Sequence, residues 1–463
     1  MSRTPPPARP VPPACGVVPP YLLRHLAEAT GRSGGEAGPA ERTLVVDEQL
    51  RSRRAARAVT APGPAASPGP DWLVHDAEGG TTLPGRPVRA AGEPPVGDTA
   101  VEEAATGITA ALALLLEEWG RDSYDGAGRT VSASVHYGQQ YANAFWDGVQ
   151  LVFGDGDGMV FERFTRSVDV LAHELGHAVV ERTAGLLYQG QSGALNESFC
   201  DVMGSCVKQR VLGQQAAEAD WLVGAELFSA GVQARGLRDL AAPGTAYDDP
   251  RLGRDPQPAH LDDYVETTDD NGGVHLNSGI PNRAFHLAAT ALGGTSWAGA
   301  GRIWFAALTG GAVPPDADFA TFARATVAAA GPDAAAVREA WQQVGVVVEE
   351  STAQSDTPGA PVAPAAATGE VRVRRSGGIV GRAVEAQVRL DDEQALAQLP
   401  ELPALVERAC RTQAWQSPPA PRPVADGFSY EFELEGQVQQ LPEAALNPEL
   451  RRIAQLLLGE GGA

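Results

Sequence analysis

The sequence predicts an α+β protein, with strands early, helices later, and a separate small α+β unit at the end. Three observations carry this. The runs VSASVHY and VQLVFGDGDG, between residues 131 and 158, have the alternating or continuous apolar pattern of strands. Ala-rich runs of helical period follow, such as FATFARATVAAAGPDAAAVREAWQQV. Beyond a Ser/Thr/Pro/Ala-rich linker at 350–368, alternation returns in VRVRRSGG, AVEAQVRL and FSYEFELEG, around a helical run at 393–412.

Taken in order, residues 1–14 are Pro-rich and predict no regular structure. VVPPYLLRHLAEAT places apolar residues at helical spacing after a Pro pair, the pattern of a short amphipathic helix. A Gly-rich break spans 31–38, and RTLVVDEQLRSRR reads as further helix or strand. RAVTAPGPAASPGP, residues 57–70, is a flexible linker and a candidate processing site. The chain therefore divides at 1–70, 71–190 (strand-rich), 191–349 (helical), 350–368 (linker) and 369–463. No long internal repeat is visible.

A chain of 463 residues exceeds one core, and domains of ~100–200 residues suggest two to four. The net charge of -22 opposes binding to nucleic acid or anionic membrane. Of the four cysteines, Cys15, Cys200, Cys206 and Cys410, the middle two lie six apart on one predicted helix, on different faces. No disulfide framework is indicated. No stretch reads as long and apolar enough to span a membrane. The N-terminus lacks the apolar core of an ordinary secretory signal. The expectation is a cytoplasmic protein, or one exported without such a signal and then extracellular.

The chemistry concentrates in VDVLAHELGHAVVERTAG. His173 and His177 stand at i and i+4, so on a helix they share a face and can grip one metal ion. Glu174 projects toward the open coordination position. Glu197, twenty residues after His177, completes a set of two His and one Glu. Three ligands with the fourth position left for water are a catalytic zinc set, whereas a structural site closes all four. Asn196 and Asp201 suit the acceptors that the ligating imidazoles need at their other nitrogens. Val180 and Thr183 stand where a metzincin has Gly and His, which excludes that class.

On His173, Glu174, His177 and Glu197 the chain resembles the thermolysin family of zinc metallopeptidases. The likeness continues in YANAFWDG, AGLLYQGQSGALNE, GLRDLAAP and DNGGVHLNSGIPNRAF, and spans ~72–348. It implies a two-lobed peptidase with the zinc helix between a β-rich N-terminal and an α-helical C-terminal lobe. It also implies protein or peptide substrates and one catalytic Zn²⁺. Glu174 would take the proton of the zinc-bound water and give it to the leaving amine. Tyr188 and His275, with Asp270 as the histidine's partner, would donate to the oxyanion. Asn143, Ala144 and Arg238 would hold the substrate backbone. Phe161, Phe164, Val170 and Leu237 match the pocket for the residue after the cut, implying cleavage before bulky apolar side chains. Plain core packing accounts for these four equally well.

Departures from the family pattern are informative. Of the acids expected at a double calcium site, Asp169 and Asp220 remain, while Lys208, Leu222 and Ala225 stand at other positions. A lysine ammonium can replace the ion beside Asp169, so the double calcium site is expected to be absent. GDGDG at 154–158 lacks EF-hand spacing and reads as a turn. VVPPYLLRHLA resembles the short propeptide of the protealysin branch, with Pro19, Pro20 and Tyr21 where the branch has Pro-Pro-Leu. This implies a segment that silences the precursor until the 57–70 linker is cut. A thiolate is a good zinc ligand, so Cys15 as a cap on the metal and Cys15 as an inert thiol both stand open. The last unit, chiefly through RSGG at 375–378, resembles emfourin, an inhibitor of protealysin-like enzymes. It would be an intramolecular inhibitor-like domain on a linker with a span of ~25 Å. Two other readings remain: a silent binding protein with a blocked cleft, and a peptidase whose last unit recruits a target.

Overall fold

Short strands β1 (Trp72–Asp76), β2 (Arg86–Ala90), β3 (Val131–Val135), β4 (Ala144–Trp146) and β5 (Leu151–Phe153) form one sheet in the order β2-β1-β3-β5-β4. β1 and β5 run parallel to β3, while β4 pairs antiparallel with β5 and forms the edge. Helix α3 (Thr99–Ala113) packs on this sheet. It starts where the Asp98 carboxylate accepts from the Ala100 and Val101 amides, satisfying donors that a helix leaves open. In the 154–158 loop, the Asp157 carboxylate accepts from the Met159, Val160 and Phe161 amides, the turn expected there. One sequence reading needs correction: Thr99–Glu118 is long and apolar enough to cross a membrane. Its Val101, Ile108, Ala111 and Leu114 are buried in the main core, so packing accounts for its apolarity.

The computed structural model describes residues 16–30, 38–55, 71–348, 370–377 and 384–389, with short stretches between 399 and 458. They fall into two units, Met1–Ser351 and Thr352–Ala463. At the centre of the first, α4 (Val168–Glu181) packs along α5 (Gly190–Leu212). Every residue of α4 from Asp169 to Val180 is buried, the polar Asp169, His173, Glu174 and His177 included, so this helix is enclosed on all sides. A Cβ on Gly204 would come within 2.5 Å of the Asp169 carbonyl, so the two helices depend on glycine to approach. Small hairpins follow, β6 (Leu222–Val223) with β7 (Arg238–Asp239) and β8 (Asp248–Asp249) with β9 (Gly253–Arg254). Helices α6 (Asp270–Asn277), α7 (Gly279–Leu292), α8 (Ala300–Thr309), α9 (Phe319–Ala329) and α10 (Ala334–Gln343) complete a helical lobe. Trp304 and Trp341 stack at 5.9 Å inside it.

The N-terminal segment belongs to the same unit. It forms α1 (Pro20–Thr30) and α2 (Pro39–Ala55), and Val17, Val18, Leu22, Leu23 and Leu26 are buried in the main core. The second unit is an antiparallel sheet of β10 (Glu370–Gly377), β11 (Val384–Arg389), β12 (Phe428–Leu434) and β13 (Gln437–Pro442), in the order β11-β10-β12-β13, with helix α11 (Pro448–Leu458). Val371, Val373, Phe432 and Leu434 form its core with Leu450 and Ile453, and Arg372 and Arg374 stand opposite Glu433 and Glu431. Both linkers, most of the 393–412 run, Cys15 and Cys410 lie outside the described residues.

Candidate active site

The helix period of α4 brings the His173 and His177 rings to 4.9 Å, perpendicular to one another. Packing of α5 against α4 then adds Glu197, whose two carboxylate oxygens lie 3.5 Å from His173 Nε2 and 3.5 Å from His177 Nε2. One ligand atom from each of the three residues falls within 4.8 Å of the others. Both outer nitrogens are committed. His173 Nδ1 donates to Asp201 at 2.8 Å and His177 Nδ1 to Asn196 at 2.9 Å. In the neutral imidazole each Nε2 then turns its lone pair to the shared side. His173 Nε2 is buried and makes no hydrogen bond among the described residues. Two imidazole lone pairs facing a carboxylate suit a cation, and this donor set fits zinc. Burial would raise the Glu197 carboxyl, but His275, His177 and His173 outweigh it and bring it to about 2. Glu174, on the turn between the two histidines, is fully buried at the same place.

A second cluster faces the first. Tyr188 donates to Glu197 Oε1 at 2.5 Å and lies 3.4 Å from His275 Nε2. His275 is gripped twice by Asp270, at Nδ1 (2.7 Å) and at its backbone amide (3.0 Å). This grip needs an unusual backbone: Asp270, Asn271, Gly272 and Gly273 all have positive φ. A Cβ on Gly272 would meet the Gly190 amide at 3.0 Å. Burial disfavours charge on His275, but Asp270 and Glu197 prevail and raise its pKa above the ordinary value.

Asp201 links this centre to the cleft. Besides His173 it accepts a fork of two bonds from Arg238, at 2.7 and 2.8 Å. Burial alone would raise its carboxyl, yet Arg238 and His173 hold it far below the carboxylate range. The remaining arginine nitrogen, Nη1, donates to the Val17 carbonyl at 3.0 Å. The Val17 amide donates to the Ala144 carbonyl at 3.0 Å, and Gly16 bridges antiparallel to Phe145. Asn143 Oδ1 accepts from the Val18 amide at 2.9 Å, while its Nδ2 donates to the Val18 carbonyl at 3.2 Å. The N-terminal segment thus lies on edge strand β4 as an added strand, on the residues expected to hold a substrate backbone.

Phe161, Phe164, Val170 and Leu237 are all buried in the main core, with Phe161 and Phe164 5.7 Å apart. Near the base of α4, Lys208 Nζ lies 2.9 Å from both Asp220 oxygens, 3.0 Å from the Leu222 carbonyl and 3.7 Å from Asp169. Three contributors escaped sequence reasoning. Asn282 donates to Asp201 at 2.9 Å, Gln257 donates to the His275 carbonyl at 2.6 Å, and Asp47 accepts from Asn143 at 3.0 Å. Asn282 stands within the quoted DNGGVHLNSGIPNRAF run, but nothing in its spacing marks it.

Sheet-rich lobe, helical lobe and an intervening His-His-Glu centre together define a metalloendopeptidase. The description "Thermolysin metallopeptidase, catalytic domain" matches residues 90–181, its alpha-helical domain matches 184–346, and Emfourin matches 373–458. An extracellular metalloprotease of Pectobacterium carotovorum subsp. carotovorum is 49% identical, over 73% of this chain and 98% of that protein. Protease PrtS of a Photorhabdus species is 42% identical, over 72% and 93%. The solved precursor of protealysin, a metalloproteinase from Serratia proteamaculans, is 48% identical with a TM-score of 0.62, covering 72% of this chain and all of that one. The chain belongs to the thermolysin metallopeptidase family and carries an emfourin domain at its C-terminal end.

Proposed function

We propose that this chain is the precursor of a zinc endopeptidase that cuts before bulky apolar residues and is silenced by its N-terminal segment and its emfourin domain. The observation that carries the reading is the seating of Val17 and Val18 on Ala144, Asn143 and Arg238. A substrate strand needs those same donors and acceptors, so it competes with the segment.

His173, His177 and Glu197 would hold the zinc, which when bound supplies a water of lowered pKa and polarises the scissile carbonyl. Glu174 would serve as the general base toward the attacking water and return the proton to the leaving amine. His275, oriented by Asp270, and the Tyr188 hydroxyl stabilise negative charge on the carbonyl oxygen. To do so, Tyr188 exchanges its bond to Glu197 for one to the oxyanion. Arg238 and Asn143 fix the peptide that follows the cut. Burial of Phe161, Phe164, Val170 and Leu237 is compatible with an apolar pocket floor. The Lys208 ammonium supports the reading that no double calcium site is present. By analogy with the extracellular relatives, the processed enzyme works outside the cell.

Hydrolysis of casein or a furylacryloyl peptide tests this with the full chain, a form cut in the 57–70 linker, and that cut form lacking 369–463. Activity should appear on cutting, rise again on deletion, and vanish with a zinc chelator. A chain equally active in all three forms would overturn the autoinhibition. No activity in any form would favour a silent binding protein.

A further inference from the structure

We propose that Tyr141 and Asn143 form a carboxylate-binding subsite in the cleft, which Asp47 of α2 occupies in the precursor. This rests on the reading of the β4 edge as the substrate strand.

Asn143 can give two hydrogen bonds and take two at its side chain. Val18 and the Ala144 amide share Oδ1, and the Val18 carbonyl takes one N–H of Nδ2. The other N–H goes to Asp47 Oδ2 at 3.0 Å. The second Asp47 oxygen, Oδ1, accepts from the Tyr141 hydroxyl. One carboxylate is therefore held by two donors, one on each oxygen, in a site where Asp47 is 7% exposed and Asn143 and Tyr141 are buried. Burial, then the charge of Asp47, push the Tyr141 phenol upward, so it stays a donor. The neighbouring Ala142 amide points at the same helix and donates to Thr43 Oγ1 at 3.1 Å.

Asp47 reaches this place from a different part of the chain than Val17 and Val18. Val46 and Leu50 on the same helix pack against Tyr137, Tyr141 and Phe145, which fixes α2 there. When the N-terminal segment leaves, Tyr141 Oη–H loses its acceptor and the Asn143 amide loses both of its own, Asp47 and the Val18 carbonyl; a substrate backbone replaces Val18, and the two donors that held Asp47 are left for a second group of the ligand. A bound peptide that covers these donors shuts out water, and donors buried in that way demand a new acceptor. Since charge-assisted bonds to a carboxylate are the stronger kind, a carboxylate on the bound peptide satisfies them best. It lies beside Asn143, which also binds Val18, the residue after the one whose carbonyl Arg238 holds; with that carbonyl in the place of the first residue after the cut, the subsite reads groups at or beyond the second. The carboxylate can come from an Asp or Glu side chain, or from the free C-terminus of a short peptide.

The test uses the processed wild-type enzyme and blocked peptides with an apolar residue after the cut. A single Glu is moved from the second to the fifth position after the cut, each peptide paired with its Gln counterpart, and a further pair compares a C-terminal acid with the amide. The subsite predicts that kcat/KM for Glu exceeds that for Gln by roughly tenfold at one position, or that the acid exceeds the amide by as much. The first result assigns a side-chain source and the second a chain end. Tyr141→Phe should bring the preferred ratio close to one, and a Tyr141→Phe enzyme that keeps the ratio overturns the proposal. Cleavage of all peptides without any acidic preference also overturns it, while leaving the cleft reading intact. If no peptide is cleaved, the cleft reading falls and the subsite with it.

Discussion

At the residue scale, Asp201 serves two masters: it orients His173 and holds Arg238. Asp201→Asn should therefore weaken zinc binding by roughly 10–100-fold and also raise KM through Arg238. Chelator competition reads the first effect and steady-state kinetics the second; a change in KM alone would show that His173 is oriented without Asp201. Gly16 matters for a steric reason, because a Cβ there would come within 2.2 Å of Asn143 Nδ2. Gly16→Ala should loosen the segment and speed activation of the precursor, followed by the lag before peptide hydrolysis. His136 sits between Asp155, at 2.9 Å, and Asp98, at 3.2 Å. The hydrogen bond to Asp155 is the main cause raising its pKa to about 9. A folded-state pKa above the unfolded value gives stability that is complete below ~6.5 and is lost as pH rises through about 9. Thermal melts should fall across that window in the wild type, and His136→Gln should flatten the decline.

At the scale of elements, α4 and α5 were the easiest to read. His173 and His177 at i and i+4 announce both a helix and a shared face, and Glu197 declares its chemistry by type and distance. Resemblance supplied Tyr188, His275, Asp270 and Arg238, whose geometry depends on loops that periodicity does not describe. The left-handed run at 270–273 is visible only as Asp-Asn-Gly-Gly, a turn signal with no stated direction. Asp47 was invisible for a different reason. Its partner is 96 residues away, and the α2 run reads in sequence only as further helix or strand, with nothing that marks Asp47. Thr99–Glu118 failed in the opposite sense, since a core helix and a membrane span share one composition. The Lys208 cluster joins α5 to the 220–222 segment and to Asp169 on α4. Lys208→Met leaves the buried Asp169 without its cation and should cost about 3 kcal/mol, read as a lower Tm; added calcium should leave the wild-type Tm unchanged.

At the scale of the molecule, strand-rich and helical halves meet at the packed pair α4 and α5, so the metal centre lies where the two halves join within one continuous core. The order of sequence patterns carries the contrast between a strand-rich and a helical half, the five-stranded sheet lying before residue 160 and the run of long helices after it, although α3 interrupts the strand-rich part. Latency, on the function proposed above, belongs to the whole first unit. Gly16, Val17, Val18 and Asp47 converge on one edge strand from two separate segments, and neither segment alone reveals the contact. Release should then be cooperative: cutting the 57–70 linker lets both segments leave together, and a synthetic peptide of residues 16–55 should inhibit the processed enzyme competitively, more strongly than 16–30 alone.

On the proposed function, peptide hydrolysis rests on one zinc ion served by Glu174. The most direct measurement strips the processed enzyme of metal, adds zinc back in steps, and follows peptide hydrolysis and bound zinc together, in the wild type and in Glu174→Ala. The account predicts activity that rises with zinc and saturates at about one ion per chain, and a Glu174→Ala protein that binds the same zinc and cleaves nothing. Zinc-independent hydrolysis, or a Glu174→Ala protein as active as the wild type, would contradict it.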